Sequence, residues 1–144
     1  MSSMAGNWTV KVTVNGNQVV FPVTVAEAAT KIVGSYTGTD GEIYFISLIQ
    51  PVTWKVGLND IEIMINRKAS MMSFPADNDF EVIMTPEMPS MGHGSPNNVS
   101  PTLLSNGRYK GVVNYTMTGD WRLHFELKKA GVTIHSDAFL DILF

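Results

Sequence analysis

The fold class is decided by one segment, Trp121-Arg122-Leu123-His124-Phe125-Glu126-Leu127-Lys128-Lys129-Ala130-Gly131. Apolar and polar residues alternate along it with period two, so an extended strand would carry all its large apolar side chains on one face. Ala130-Gly131 then predicts a hairpin turn into a last strand over 132–144. The segment therefore indicates an antiparallel sheet with one buried face.

The same kind of strand recurs from one end of the chain to the other. Asn15-Gly16 predicts a tight hairpin turn, because both turn positions favour positive φ. Ser105-Asn106-Gly107 predicts a turn between two later strands. The expected strands before the deciding segment are 8–14, 19–25, 42–50, 61–67, 80–84, 99–104 and 109–117. The stretch 26–40 is rich in glycine and threonine, and we interpret it as a linker. Many short strands with turn signals between them predict an all-β protein, an antiparallel β-sandwich with an additional N-terminal β-hairpin.

Composition narrows the classes of function. The 144 residues suffice for about one domain, and 44% of them are apolar, which favours a packed core. The net charge is −3 and no basic patch is visible, so we expect no nucleic-acid partner. The chain has no cysteine, which excludes disulfides and thiolate metal sites. Its first residues have neither the charged nor the apolar region of a signal peptide.

An internal repeat links the two ends of the chain. Met4-Ala5-Gly6-Asn7-Trp8 matches Met117-Thr118-Gly119-Asp120-Trp121, and the match continues without a gap, so that Val10 falls on Leu123 and Phe21 on Ile134. One interpretation makes 1–25 the tail of an upstream repeat of the same domain, 26–40 a linker and 41–144 the complete domain. The alternative is that two similar hairpins of one larger sandwich converged on one pattern.

The repeat carries an expectation about partners. A lone hairpin would expose its apolar face, which must pack against the complete domain or against a second molecule. We therefore expect either an intramolecular contact, an upstream domain of the same type, or self-association through the N-terminal hairpin.

The segment Met88-Pro89-Ser90-Met91-Gly92-His93-Gly94 is the main candidate for chemistry, within a loop expected over 84–95. Thioethers and imidazole are soft ligands that favour Cu(I), and the segment predicts a copper site formed by Met88, Met91 and His93. The turn at Met117–Trp121 is expected to lie beside this loop. The alternative is structural: Met91 packs on Trp121, and His93 serves the hydrogen bonds of the loop.

Other methionines and titratable groups indicate no chemistry. Met84 and Met117 are expected in the core, and Met64 on the outer side of its strand. His124 and His135 are expected on the surface, and Asp77-Asn78-Asp79 in a turn without the spacing of a calcium loop. No phosphate-binding loop or nucleophile motif is present, so an enzymatic role has no support.

A family resemblance rests on Trp54, Gly57 and Asn59, then the string 88–94, then a set of later positions. That set is Gly107, Tyr109, Gly111, Met117, Gly119 and Trp121. On these residues the span 54–127 resembles the YtkA-like domain family, a relative of the FixH-like proteins. The resemblance implies an immunoglobulin-like β-sandwich of about seven strands, located outside the cytoplasm in the periplasm or cell envelope.

The resemblance also bears on function. Members of the family are often lipoproteins or membrane-anchored proteins, and they tend to accompany copper and respiratory-chain maturation systems. Any membrane anchor would lie outside this chain. Two functions follow: a non-enzymatic extracytoplasmic module that handles copper through its Met/His loop, or a structural or protein-interaction sandwich of a tandem-domain lipoprotein with no metal role.

Overall fold

The computed structural model describes residues 5–144, and its regular structure consists of strands. The strands are β1 (Gly6–Val14), β2 (Asn17–Val25), β3 (Val33–Thr37), β4 (Ile43–Gln50), β5 (Gly57–Arg67), β6 (Glu81–Met88), β7 (His93–Gly94), β8 (Val99–Ser105), β9 (Arg108–Tyr115), β10 (Asp120–Lys129) and β11 (Val132–Leu143). Within the described range, the chain forms no helix able to cross a membrane. The predicted all-β class is confirmed.

Nine of these strands form a β-sandwich. One sheet has the order β3-β4-β5-β9-β8 and the other the order β11-β10-β6-β7, with antiparallel pairing between neighbours. The strands β1 and β2 pair only with each other, as the predicted N-terminal hairpin. The sandwich has two more strands than the expected seven, and these are the short β3 and β7.

The core lies between the inner faces of the two sheets. Trp121, Leu123, Phe125 and Leu127 on β10 are at most 1% exposed, as their alternation predicts. They share one apolar cluster with Ile61, Ile63 and Ile65 of β5, which are fully buried. Burying a large apolar side chain stabilises the fold by about 1.5–3 kcal/mol, so β10 and β5 account for much of its cohesion.

Three hairpins use the same kind of turn. Asn15-Gly16, Asn106-Gly107 and Ala130-Gly131 all have positive φ at both turn positions, with values from 48° to 79°. Two left-handed residues form a type I′ turn, whose twist matches that of the flanking strands. The turn signals read from the sequence are confirmed at all three positions, although Ala130 adopts a conformation that usually favours asparagine or glycine.

The linker predicted over 26–40 is wrong in its second half, because β3 occupies Val33–Thr37. Tyr36 is buried there, and its hydroxyl donates to the Phe139 carbonyl and accepts from the Phe139 N–H at 2.9 Å. A Cβ at Gly34 would collide with the Tyr36 ring, so the glycine is what lets the ring fold back across its own strand. Gly34, which suggested a linker in the sequence, is needed for the packing of Tyr36 within β3.

The hairpin β1–β2 is exposed along both strands, with only Val25 half-buried. Its first strand matches β10, but its return strand pairs differently from β11. Phe21 lies opposite Val10, whereas Leu123, the counterpart of Val10, lies opposite Leu140. Two features cause the difference: the turn starts seven residues after Trp8 but nine after Trp121, and the pairing of β10 with β11 contains register shifts around Leu127. Met4, which begins the repeat, lies outside the described residues.

Two fully buried tyrosines allow a matched test of hydrogen bonding in the core. The Tyr109 hydroxyl donates to the Asp77 carbonyl and accepts from the Phe80 N–H, at 3.0 and 3.1 Å. The Tyr115 hydroxyl is buried with no partner among the described residues. We expect Tyr109→Phe to lower the free energy of unfolding by about 1–3 kcal/mol, because it leaves buried backbone groups unpaired.

Tyr115→Phe is the control, and we expect it to be neutral or stabilising, because it removes a hydroxyl whose desolvation no bond offsets. Urea denaturation of both variants measures the difference. Equal destabilisation by the two substitutions would contradict the assigned hydrogen bonds.

Candidate metal-binding loop

The segment 88–94, termed here the Met/His loop, connects β6 to β7 at one end of the sandwich. The loop predicted over 84–95 starts later than expected, because β6 continues to Met88. This extension includes Pro86, although proline cannot donate to a ladder. In the structure β6 pairs with β10 along most of its length but with β7 only at Glu87 and Met88, so Pro86 lies where β6 is still an edge.

A tight turn brings Met88 and His93 together. The N–H groups of Met91 and Gly92 both donate to the Met88 carbonyl, at 3.0 and 2.9 Å, and Gly92 has a φ of 63°. The chain thereby reverses so that His93 lies directly opposite Met88 in the ladder. Directly opposite residues of an antiparallel pair project on the same face, with Cβ atoms about 4.5–5.5 Å apart. The thioether of Met88 and the imidazole of His93 are therefore neighbours.

The three predicted ligands differ in exposure. Met88 is 3% exposed, Met91 is 59% exposed at the tip of the turn, and His93 is half-buried with its ring 6.1 Å from that of Trp121. Glu87 lies opposite Arg122 in the antiparallel ladder, so the next residue of β6, Met88, lies beside Trp121. The methionine buried beside this tryptophan is thus Met88, and Met91 is the one in solvent. The structure brings Met88 and His93 together and leaves Met91 beyond them.

The Met/His loop is hydrogen-bonded to the turn before β10, as expected from the sequence. Asp120 accepts hydrogen bonds from the Ser90 hydroxyl and from the Ser90 N–H, the latter at 3.2 Å. A Cβ at Gly119 would overlap the Met88 methyl group, so the glycine makes room for this side chain. The Trp121 indole N–H donates to the Met117 carbonyl at 3.0 Å, which closes the turn on itself.

Hydrogen bonding also defines which imidazole nitrogen of His93 could act as a ligand. Nδ1 lies 3.0 Å from the Gly94 carbonyl oxygen, and as a donor it fixes the tautomer in which Nε2 carries the lone pair. Metal-bound histidines commonly donate their other N–H to a backbone carbonyl in this way. The donor set is neutral and soft, which suits Cu(I). Across the described part of the chain, no three His, Asp or Glu side chains converge on a site for another metal.

The remaining methionines are placed partly as expected. Met84 is buried in the core and Met64 is half-buried on the outer side of β5. Met117 was expected in the core, and this is wrong, because the turn leaves it 37% exposed. The turn that contains Met117 contacts the Met/His loop through Asp120 and Gly119.

Several polar pairs could not be predicted from the sequence. His124 and His135 do not face each other, because His124 lies opposite Phe139. His124 instead contacts Asp137 at 2.6 Å and Glu87 at 2.9 Å on the outer face of the sheet. Asp77, interpreted only as a turn residue, is 7% exposed and pairs with Lys129 at 2.7 Å. These contacts depend on residues far apart in the chain, for which no local pattern exists.

Neither a family model, a curated protein nor a solved structure matches this chain. The resemblance to the YtkA-like family therefore stays a prediction, carried by the residues named above.

The bond between Ser90 and Asp120 predicts a pH response of the loop. The hydrogen bond from the Ser90 hydroxyl lowers the pKa of Asp120 below its ordinary 3.8. A carboxyl group whose pKa is lowered on folding stabilises the fold above its unfolded pKa and loses this contribution as the pH falls through the folded value. We expect the Ser90 amide proton in NMR spectra to shift with a midpoint below 3.8.

Asp120→Ala should remove this titration and speed amide exchange at Ser90, because the acceptor is gone. Asp60→Ala is the control, since Asp60 is an exposed acid on β5 that pairs with Lys110. A Ser90 amide that titrates identically in the Asp120→Ala variant would show that another group holds the loop.

Proposed function

We propose that this chain is a non-enzymatic, extracytoplasmic, immunoglobulin-like β-sandwich module that docks onto another folded domain through its N-terminal hairpin. The observation that carries the proposal is the exposed apolar face of β1–β2. The extracytoplasmic location rests on the resemblance to the YtkA-like family and is part of the proposal.

The pairing of β1 with β2 puts almost all large apolar side chains of the hairpin on one face. Directly opposite residues share a face, so the apolar pairs Trp8–Val23, Val10–Phe21 and Val12–Val19 lie side by side. The face is completed at the tip by Val14. We call these seven side chains the hairpin's apolar face, and they are 39% to 60% exposed. Contiguous apolar patches of this kind mark interaction surfaces.

The hairpin β10–β11 shows how the same pattern behaves when it is covered. The residues of β10 that match the apolar positions of β1 are at most 1% exposed, because the five-stranded sheet faces them. A two-stranded hairpin is marginally stable alone in water, and it gains stability when its apolar face packs on another element. The hairpin's apolar face therefore has the composition of a surface that is normally covered.

The outer surface of the sandwich differs from the hairpin's apolar face in carrying charged pairs, although it also exposes apolar side chains such as Leu58 and Leu104. Its four-stranded sheet carries an ion pair between Arg122 and Asp141 at 2.7 Å and the contacts of His124 with Glu87 and Asp137. Its five-stranded sheet carries pairs between Arg108 and Glu62 and between Lys110 and Asp60. Such pairs add little stability, but they keep a surface hydrated. This contrast supports the hairpin as the docking surface.

Deletion of residues 1–25 tests the independence of the hairpin. We expect the remaining chain to keep its Tm within about 2 °C, because no residue of the hairpin is buried against the sandwich. The deletion should also abolish most binding of an apolar fluorescent dye. A fall in Tm of more than about 5 °C would mean that the hairpin stabilises its own sandwich, and the docking proposal would fail.

A second candidate function is Cu(I) binding by Met88, Met91 and His93. The observation that favours it is the cross-strand pairing of Met88 with His93, whose Nε2 is left to accept a metal. The exposed Met91 lies two residues before His93 on a turn that contains a glycine, so its thioether can turn towards the imidazole. Copper would be held by these side chains as soft, neutral ligands.

An anaerobic titration with Cu(I) against a competing chelator tests this candidate. We expect one equivalent to bind, with affinity lost in Met91→Leu and in His93→Gln, and weakened at acid pH because a protonated imidazole cannot act as a ligand. Met71→Leu is the control, because Met71 is 81% exposed in a different loop. Unchanged affinity in all three variants would exclude the Met/His loop as the site.

A further inference from the structure

Building on the docking function proposed above, we propose that the occupant of the hairpin's apolar face is the same face of a second copy of this chain. The two hairpins would pack as a small two-layer sandwich about a two-fold axis. Sheets packed face to face lie about 10 Å apart with their strands aligned to within about 30°.

The charge of the hairpin permits this contact. Lys11 is the only charged residue in 6–25, and it lies opposite Val20 on the other face of the hairpin. The hairpin's apolar face thus contains no charge, and two identical copies can meet without repulsion or the burial of an ion. The polar face, with Thr9, Thr13 and Lys11, would remain in water.

The distribution of side-chain size is self-complementary. The half of the apolar face near the turn carries only valines, at positions 12, 14 and 19. The half near the base carries the bulkier Trp8 and Phe21. A two-fold axis that lies between the two faces and perpendicular to the strands places the valine half of one copy over the aromatic half of the other. Large side chains then meet small ones, as close packing between two layers requires.

The area available fits a reversible dimer. Seven large apolar side chains that are 39% to 60% exposed offer roughly 500 Å² per copy. A face-to-face pair would therefore bury about 1,000 Å² in total, somewhat below the ~1,200–2,000 Å² of stable complexes. We therefore expect a concentration-dependent dimer with a dissociation constant on the order of 10 µM, rather than a permanent one.

The edge of β2 is less suited to association than the face. Residues that flank a two-residue turn form a hydrogen-bonded pair, and bonded and non-bonded pairs then alternate along the hairpin. By this alternation Thr9 and Pro22 form a non-bonded pair, so the missing N–H of Pro22 falls on the outer edge of β2. A proline at this position interrupts pairing with a further strand.

Sedimentation velocity of the full chain, from about 1 µM to about 1 mM, tests the proposal with a matched pair of variants. Val10→Lys introduces a charge on the apolar face at a residue 46% exposed, and Val20→Lys makes the same change on the polar face at a residue 51% exposed. We expect Val10→Lys to raise the dissociation constant at least about tenfold, and Val20→Lys to leave it within about twofold. Equal effects of the two substitutions would overturn the face-to-face arrangement.

Methyl NMR with a soluble paramagnetic agent separates failure of this proposal from failure of the docking function. Chains that stay monomeric at all concentrations, with the methyl groups of Val10, Val12 and Val19 accessible to the agent, would overturn self-association and leave the docking function with another partner. Binding of such monomers to phospholipid vesicles would likewise overturn self-association. Monomers with these methyl groups protected would show the hairpin folded back, for instance onto the groove beside Phe45 and Phe74, and would overturn both.

Discussion

A β-sheet with one apolar face is stable in water only when another layer covers that face, and this constraint organises the whole chain. The strand β10 meets it completely, because its aromatic and aliphatic side chains are enclosed by the five-stranded sheet while Arg122 and His124 remain on the outside. The hairpin β1–β2 has the same alternation without a covering layer. The difference lies in what faces each hairpin, since the local sequences are alike.

Trp121 connects this constraint to the candidate site. Its ring packs in the core against Tyr115, with ring centres 5.1 Å apart, and its other neighbours include His93 at the end of the sandwich. The loop that holds His93 is in turn fixed by Asp120, the residue before the tryptophan. The geometry of the Met/His loop therefore depends on the packing of β10 more than on contacts within the loop.

The sequence predicted those elements whose stability is local. Period-two alternation identified β10 and β5, and pairs of turn residues identified the three type I′ hairpins. It missed β3, because that strand depends on a bond between the Tyr36 hydroxyl and Phe139, 103 residues away. It also ended β6 too early, because whether a proline fits within a strand depends on which neighbour lies beside it.

The same distinction applies to the candidate site. Residue types and spacing could nominate Met88, Met91 and His93, but their relative placement depends on a turn bonded to Met88 and on its contact with Gly119. The position of Met91 in solvent could not be deduced from a seven-residue pattern. Nor could the ion pair between Asp77 and Lys129, which joins the loop before β6 to the end of β10.

The three type I′ turns have a consequence for the order in which the chain folds. Each lets two adjacent strands pair through contacts that are close in sequence, and such hairpins form in about 1–10 µs. The pairing of β5 with β9, in contrast, joins Gly57 to Tyr115, and loop closure over this separation is slow. We expect β8–β9 and β10–β11 to form as preassembled units, with β5 then docking between β4 and β9 in the step that sets the folding rate.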